Sequence, residues 1–197
     1  MAYPTVSSPY GLVPVGMLGG APYSGANRFA QIASGYATAI FTGDVVKLNA
    51  GMLEKDTGTA AATPIGVFVG CTYTDPSTGS KTFRASYPGG IAASDIMAYV
   101  VDDPRVIFKA ASVVATTITG MAATSIGKNT ALVQNAGSTA TGLSKVGVSS
   151  TPATTATLPL KIVDFVQETK LPAGTYQEVY VVFNPSLHQY NNALGVA

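Results

Sequence analysis

From Thr38 onward, the chain alternates short apolar runs with residues that favour turns. The runs are rich in β-branched and aromatic side chains, which suit strands, and glycines interrupt them too often for helices. The predicted strands are 45–48, 52–54, 65–74, 81–87, 96–101, 106–108, 131–133, 145–148, 160–166 and 179–183. The pattern therefore predicts an all-β body, built as a β-barrel or a β-sandwich.

Three connecting stretches complete this prediction. Residues 75–79 (Asp-Pro-Ser-Thr-Gly) have turn chemistry, because proline sets φ and glycine accepts a positive φ, so residues 64–87 are predicted to form a hairpin. Residues 110–123 combine alanines, which favour a helix, with β-branched residues that oppose one, and we interpret them as mostly non-helical. Residues 135–157 are rich in Gly, Ser and Thr and predict a long surface loop around the short strand.

The first 36 residues differ from the rest of the chain. They contain four prolines and six glycines, which prevent a helix and leave little room for long strands. Their only charged residue is Arg28, yet they are too apolar for a disordered linker. We predict that residues 1–36 form an extended arm on their own body or on a neighbouring protein. Residues 37–197 would then form a single β-rich body, with subdomains at about 37–95 and 96–197 as an alternative.

The composition indicates a surface with few charges. Charged residues make up 11% of the chain, against about 25% in ordinary soluble domains, and the mean hydropathy is +0.30. A compact chain of this mass exposes roughly 8,700 Å². Only eleven basic and ten acidic side chains are available to cover that area. Little desolvation cost opposes association of such a surface, so we favour an assembly protein over a secreted β-protein with a Thr/Ser/Gly-rich surface.

Charge and hydropathy also exclude several classes of partner. The net charge is +1 and the basic residues are dispersed, which argues against nucleic-acid binding. The sequence has no apolar stretch long enough to predict a membrane span. Because the first basic residue is Arg28, the cationic start of a signal peptide is missing, and we expect synthesis in a cytoplasm. The single cysteine, Cys71, cannot form an intrachain disulfide.

The chain offers few residues for catalysis. It has one histidine, His188, and one cysteine, Cys71, which together cannot supply a tetrahedral zinc site. The best carboxylate candidates are Asp102 and Asp103, but adjacent strand residues point to opposite faces, and we interpret the pair as a turn before Pro104. We therefore predict that the protein is not an enzyme and has no cofactor.

Two sets of loop residues have features of ligand sites. Gly127-Lys128-Asn129 lacks the spacing and the Ser or Thr of a phosphate loop, so it is interpreted as a turn. Calcium binding through Asp44, Asp75, Asp102 or Asp103 stays open, although the regular spacing of a calcium loop is missing. No metal site is predicted.

Five short motifs are spread along the chain. They are residues 10–25 (Tyr-Gly-Leu-Val-Pro-Val-Gly-Met-Leu-Gly-Gly-Ala-Pro-Tyr-Ser-Gly), 41–47 (Phe-Thr-Gly-Asp-Val-Val-Lys), 64–68 (Pro-Ile-Gly-Val-Phe), 101–104 (Val-Asp-Asp-Pro) and 181–188 (Val-Val-Phe-Asn-Pro-Ser-Leu-His). In these motifs the chain resembles the head decoration (capsid cement) proteins of tailed phages, especially those of marine phages and cyanophages. The resemblance implies a β-barrel-like body docked on the capsid exterior, with an N-terminal arm that grips neighbouring subunits.

The resemblance also implies partners and a location. The expected partner is the major capsid protein, which the chain would bridge to stabilise the phage head after synthesis in the host cytoplasm. Self-contacts between copies are expected as well, with a trimer as one arrangement. The candidate capsid contacts are Tyr3, Pro4, Tyr10, Leu12, Val13, Pro14, Met17, Pro22, Tyr23, Arg28 and Phe29.

The alternative functions are a phage fibre or receptor-binding module and a carbohydrate-binding β-module. Ten tyrosines are available to stack on sugars, but tyrosine is equally suited to protein interfaces. Tryptophan, a frequent residue of carbohydrate sites, is missing from the sequence. This balance favours protein contacts.

Overall fold

The computed structural model describes residues 4–193. Within this range the chain forms sixteen strands, two short 3₁₀ helices (Ala123–Ser125 and Gln167–Thr169) and no α-helix, so the all-β prediction is confirmed. The strands are β1 Val13–Met17, β2 Arg28–Gln31, β3 Val45–Asn49, β4 Met52–Lys55, β5 Gly66–Thr74, β6 Lys81–Arg84, β7 Met97–Val101, β8 Val106–Val114, β9 Thr117–Ile118, β10 Met121–Ala122, β11 Asn129–Thr130, β12 Leu132–Val133, β13 Gly147–Ser149, β14 Leu160–Phe165, β15 Thr175–Tyr176 and β16 Glu178–Phe183.

The strands form two large sheets and one small one. The eight-stranded sheet has the order β11-β14-β16-β8-β13-β12, with β1 and β9 also paired to β8. The six-stranded sheet has the order β2-β7-β5-β3-β4, with β6 also paired to β5, and β10 pairs with β15 separately. Neither large sheet closes into a barrel within residues 4–193, so the barrel is not the architecture of the body.

The structure places two strands in the first 36 residues. β1 pairs antiparallel with β8, and β2 pairs antiparallel with β7. Pro14 is tolerated in β1 because β8 is the one strand that pairs with β1 in the described residues and the register shifts between Pro14 and Gly16. The segment is thus held on its own body, one strand in each large sheet.

The change from one sheet to the other falls at residues 102–105. Apart from β1, the strands of the eight-stranded sheet follow this connection, and those of the six-stranded sheet precede it. β7 belongs to the six-stranded sheet, so a subdomain boundary at 95–96 does not match the strand order. Val45, Val67 and Val101 nevertheless pack in one core with Phe108 of the other sheet, which joins the two halves.

A second core lies on the opposite face of the six-stranded sheet. Val67 contributes to the core between the sheets, whereas its neighbour Phe68 packs in the second core with Ile40, Tyr73 and Tyr87. Successive residues of a strand point to opposite faces, and both faces of β5 are covered here. This explains why β5 is a nearly continuous apolar run rather than an alternating one.

The other local predictions can be compared with the strand bounds. The hairpin predicted at 64–87 is confirmed, since β5 and β6 pair antiparallel around the turn at 75–79. Residues 110–123 form the end of β8, β9 and β10, which agrees with the non-helical interpretation. Between Pro4 and Ala193 the chain forms no helix with the length and apolar character needed to span a membrane.

Candidate protein-contact surface

Before β1, the N-terminal segment crosses the body between Gly43 and Ser144. The Gly11 amide donates to the Val146 carbonyl (3.0 Å), and the Leu12 amide donates to the Gly43 carbonyl (3.0 Å). Gly11 has φ +85°, and a Cβ at this position would lie 2.7 Å from the Gly43 oxygen and from Ser144 Cβ. Only glycine fits this crossing. The motifs at 10–25 and 41–47 therefore meet at Gly11 and Gly43.

Asp44 lies beside this crossing, and its carboxylate is fully buried. Its oxygens accept hydrogen bonds from the Phe41 amide (2.9 Å) and from Ser144 Oγ (2.7 Å), and Lys55 Nζ lies 2.8 Å away. A buried carboxylate requires such partners, because its unpaired charge would be costly. These contacts give Asp44, one of the calcium candidates, a structural role.

Tyr10 anchors the same segment to the eight-stranded sheet. Its hydroxyl donates to Glu178 Oε1 (2.5 Å), and Lys109 Nζ lies 3.4 Å from that oxygen. Burial, followed by the hydrogen bond and the charge of Glu178, raises the pKa of Tyr10 above its ordinary value of 10.0. Tyr10 therefore holds the arm against its own body.

This anchor predicts a pH dependence of stability. In the unfolded chain Tyr10 ionises near pH 10, whereas the folded state keeps its proton, so its stabilisation is present below that pH and is lost as the pH rises. The difference in free energy of unfolding between wild type and Tyr10→Phe should shrink between about pH 9 and 11. Urea unfolding at several pH values measures it, and a difference that grows over this range would contradict the anchor.

The exposed part of the segment forms what we name the β1 surface. It comprises the exposed side chains Val13, Val15 and Leu18 and the groove beside them. The groove has a volume of about 470 Å³. Its lining includes Met17, Gly20, Pro22, Ile107, Val163 and Tyr180.

A tight turn after β1 gives this surface its shape. The Gly20 amide donates to the Met17 carbonyl (3.1 Å), and the Met17 amide donates to the Ala21 carbonyl (3.0 Å). The Leu18 amide bonds the Arg105 carbonyl (2.8 Å), and the Arg105 guanidinium bonds the Leu18 carbonyl (3.3 Å). These bonds fix the turn at the start of β8, so the β1 surface is built on a supported element.

The β1 surface has few charged neighbours: Lys109 lies opposite Val13 in the register, and the Arg105 guanidinium bonds the Leu18 carbonyl. Asp164 is the one charged residue that lines the groove in the described part of the chain. Contiguous apolar side chains on an exposed surface mark sites of protein contact. The β1 surface is therefore the candidate functional site.

The predicted contact residues do not all lie on one surface, and Tyr10 is bonded to Glu178 of the eight-stranded sheet. Val13, Met17 and Pro22 belong to the β1 surface, and Pro14 lies half-buried within β1. Leu12 is 1% exposed in the core between the sheets, so its prediction as a contact was wrong.

The remaining contact candidates lie elsewhere. Pro4 is exposed, and the Tyr23 hydroxyl donates to the Ala26 carbonyl (3.0 Å). Arg28 pairs with Asp102 (2.8 Å), and the exposed Phe29 lies on the six-stranded sheet. Tyr3 lies outside the described residues. The structure thus brings together only part of the predicted set.

The residues considered for chemistry do not assemble into one site. Asp103 Oδ1 accepts a hydrogen bond from the Arg105 amide (2.8 Å), as expected for a turn, and Asp102 pairs with Arg28. His188 is fully buried between two aromatic rings, and burial lowers its pKa. Burial raises the pKa of the Cys71 thiol to about 11. Within residues 4–193, no group of three His, Cys, Asp or Glu side chains is placed to hold a metal ion.

Sequence reasoning missed one exposed aromatic residue, Phe83. It was assigned to a strand from the alternation at 81–87, but alternation does not show which face is left uncovered. The comparisons add nothing to this picture, since no family model, no curated protein and no solved structure matches the chain. The fold, the β1 surface and the motifs are therefore the features that bear on function.

Proposed function

We propose that the protein is a structural virion protein that binds the outer surface of a tailed-phage capsid. In this role it contacts the major capsid protein and stabilises the head by bridging capsid subunits. The observation that carries the proposal is the β1 surface, an exposed apolar patch on a supported strand in a chain with few charges. The five motifs that resemble those of phage decoration proteins indicate the major capsid protein as the partner.

The position of these motifs supports the proposal in structural terms. Residues 10–12 and 43–44 form the crossing that sets β1 on the eight-stranded sheet. The motifs therefore specify how the contact strand is held. A pre-organised surface loses little conformational freedom on binding, which favours affinity from a small area.

Modest affinity per contact is sufficient for this function. A capsid offers many equivalent sites, and a protein with more than one contact binds them with a high effective local concentration. The low charge lowers the desolvation cost of each contact. Bridging then adds contact area that the bare shell lacks.

The carbohydrate-binding alternative has less support. Tyr73, Tyr87 and Tyr176 are buried core residues, so they are not available to stack on sugars. The ring of the exposed Tyr190 is covered by Arg28, whose guanidinium carbon lies 5.0 Å from the ring centre. The tyrosine count that suggested sugar stacking thus mainly reflects the core and internal contacts.

Substitution of Val15 by aspartate tests the proposed contact. A charge at the centre of an apolar contact is expected to weaken binding to undecorated phage heads by about tenfold or more, because it must be desolvated without a partner. Co-sedimentation of the purified chain with heads measures the affinity.

The matched control is Val114→Asp, which places the same charge at an exposed valine on the far end of β8. It should bind heads like the wild type. Equal binding by wild type and Val15→Asp would contradict the proposed contact, as would an equal loss in both variants.

A further inference from the structure

A second apolar patch lies on the six-stranded sheet, away from β1. The register places Phe29 opposite Tyr99, Met97 opposite Thr72, and Thr72 opposite Phe83. Directly opposed residues share one face, and so do Tyr99 and Met97, two residues apart on β7, so the five side chains form one row across β2, β7, β5 and β6. Within this row Thr72 is buried (7% exposed), and Phe29 and Phe83 are the exposed ends. Phe29 and Tyr99 are in contact, with ring centres 5.0 Å apart. We name this set the Phe83 patch.

The Phe83 patch continues a face that is already an interface inside the molecule. Tyr99 and Val101 are two residues apart on β7 and share a face, and Val101 is buried against the eight-stranded sheet. The part of this face that the eight-stranded sheet covers is thus continuous with the part that it leaves exposed. In the exposed part, Phe29 is 57% exposed and Phe83 is 71% exposed. Phenylalanine is rarely left so exposed unless the surface has a partner.

We propose that the Phe83 patch binds the same patch of a second copy of this chain, across a two-fold axis. A two-fold contact needs one self-complementary surface, and a flat sheet face can pack on another sheet face. The pairing joins copies two at a time and so differs from the trimer considered from the sequence. It extends the proposed function, since contacts between copies would add to the bridging of subunits.

Charge favours a second copy as the occupant. The five residues of the Phe83 patch are uncharged, and Lys81, two residues from Phe83 on β6, is already paired with Asp95 at 2.7 Å. Two identical faces therefore meet without like-charge repulsion, and a strongly charged partner would find no complement. Pairing through the free edge of β6 is less favourable, because an antiparallel two-fold arrangement sets Lys81 against Arg84 of the other copy.

The size of the Phe83 patch sets the strength of the contact. A phenylalanine offers about 200 Å², so the exposed fractions of Phe29 and Phe83 amount to about 250 Å². A stable complex needs about 800 Å² from each partner. The contact is therefore weak in dilute solution and forms when copies are held close together, as on a repeating surface.

Self-association of the purified full chain tests this inference without any capsid. Amide NMR spectra recorded from about 10 µM to about 1 mM should show concentration-dependent shifts confined to β2, β5, β6 and β7. Phe83→Ser should weaken the association by about tenfold or more, because it removes the most exposed contact side chain. A substitution at this exposed position leaves the core intact, which an unchanged thermal midpoint verifies.

Val13→Ser on the β1 surface is the matched control and should associate like the wild type. Shifts that map elsewhere, association that persists in Phe83→Ser, or no concentration dependence up to about 1 mM would each overturn the inference. Head binding is measured separately. If the wild-type chain fails to bind heads while the self-association behaves as expected, the capsid proposal fails and the contact between copies stands.

Discussion

Replacing Gly11 with alanine is expected to lower the free energy of unfolding by about 2–5 kcal/mol. Two effects add at this position. The left-handed backbone costs an alanine about 1–2 kcal/mol, and the new Cβ would sit 2.7 Å from the Gly43 oxygen and Ser144 Cβ. Overpacking of this kind costs about 1–3 kcal/mol, since backbone must move to relieve it. Urea unfolding measures the change.

Gly20→Ala provides a control that separates the two effects. Gly20 has nearly the same φ (+87°, against +85° for Gly11), but a Cβ there meets no heavy atom within 4 Å. Gly20→Ala should therefore lower the free energy of unfolding only by the cost of the left-handed backbone, about 1–2 kcal/mol. Equal losses in the two variants would show that the N-terminal segment does not pass tightly between residues 43 and 144.

Asp44→Ala is expected to destabilise the protein by about 3–5 kcal/mol. The change leaves the Lys55 ammonium without its partner in a site where little water reaches it, and breaking a buried ion pair has this magnitude. It also leaves the Phe41 amide and the Ser144 hydroxyl without the acceptor that both use. Chemical unfolding of the purified variant measures the loss.

The double variant Asp44→Ala, Lys55→Met tests the cause of this loss. Removing both charges should recover part of the stability, because a buried pair contributes less than either partner left alone. The exposed pair Lys81–Asp95 is the comparison, and Lys81→Met, which leaves the hydrogen bonds from Thr74 to Asp95 in place, should have little measurable effect. A double variant no more stable than Asp44→Ala would show that the charge of Lys55 is not the cause.

Most of the longer strands of the body could be predicted because their local signals agree with their surroundings, whereas the two-residue strands β9, β10, β11 and β15 were not predicted. Apolar β-branched runs such as 65–74 become buried strands, and the Asp-Pro-Ser-Thr-Gly turn closes the expected hairpin. β1 and β2 were not predicted, since proline and glycine oppose strands locally. Both form through pairing with strands far away in sequence: β1 lies on β8, and β2 lies on β7. A local pattern cannot report such pairing.

The sequence could predict the segment that holds the contact residues, but not which residues of that segment are exposed. Leu12 and Val13 are adjacent and equally apolar, yet Leu12 is in the core and Val13 is on the surface. Which one is buried depends on the passage of Gly11 between residues 43 and 144, which the sequence does not reveal. Deleting residues 1–30 would consequently remove Leu12 and β1 together and would test folding, so single surface substitutions are the sharper probe of contact.

The Phe83 patch shows a second limit of prediction from sequence. Alternation at 81–87 correctly indicated a strand, but the strand covers only part of its sheet and its outward face stays open at Phe83. Whether Phe83 is exposed depends on where the eight-stranded sheet ends. The structure places this limit on β7, where Val101 is buried and Tyr99 lies at the edge of the covered region.

The number of copies bound per head at saturation is the most direct measurement of the proposed function. Undecorated heads are incubated with increasing amounts of the purified chain, pelleted, and the bound chain is counted against the major capsid protein on a quantitative gel. Decoration predicts saturation at a number on the order of the equivalent sites of the lattice, that is, at hundreds of copies. Saturation at a few copies would indicate a fibre or receptor-binding component, and no binding at all would contradict the capsid role.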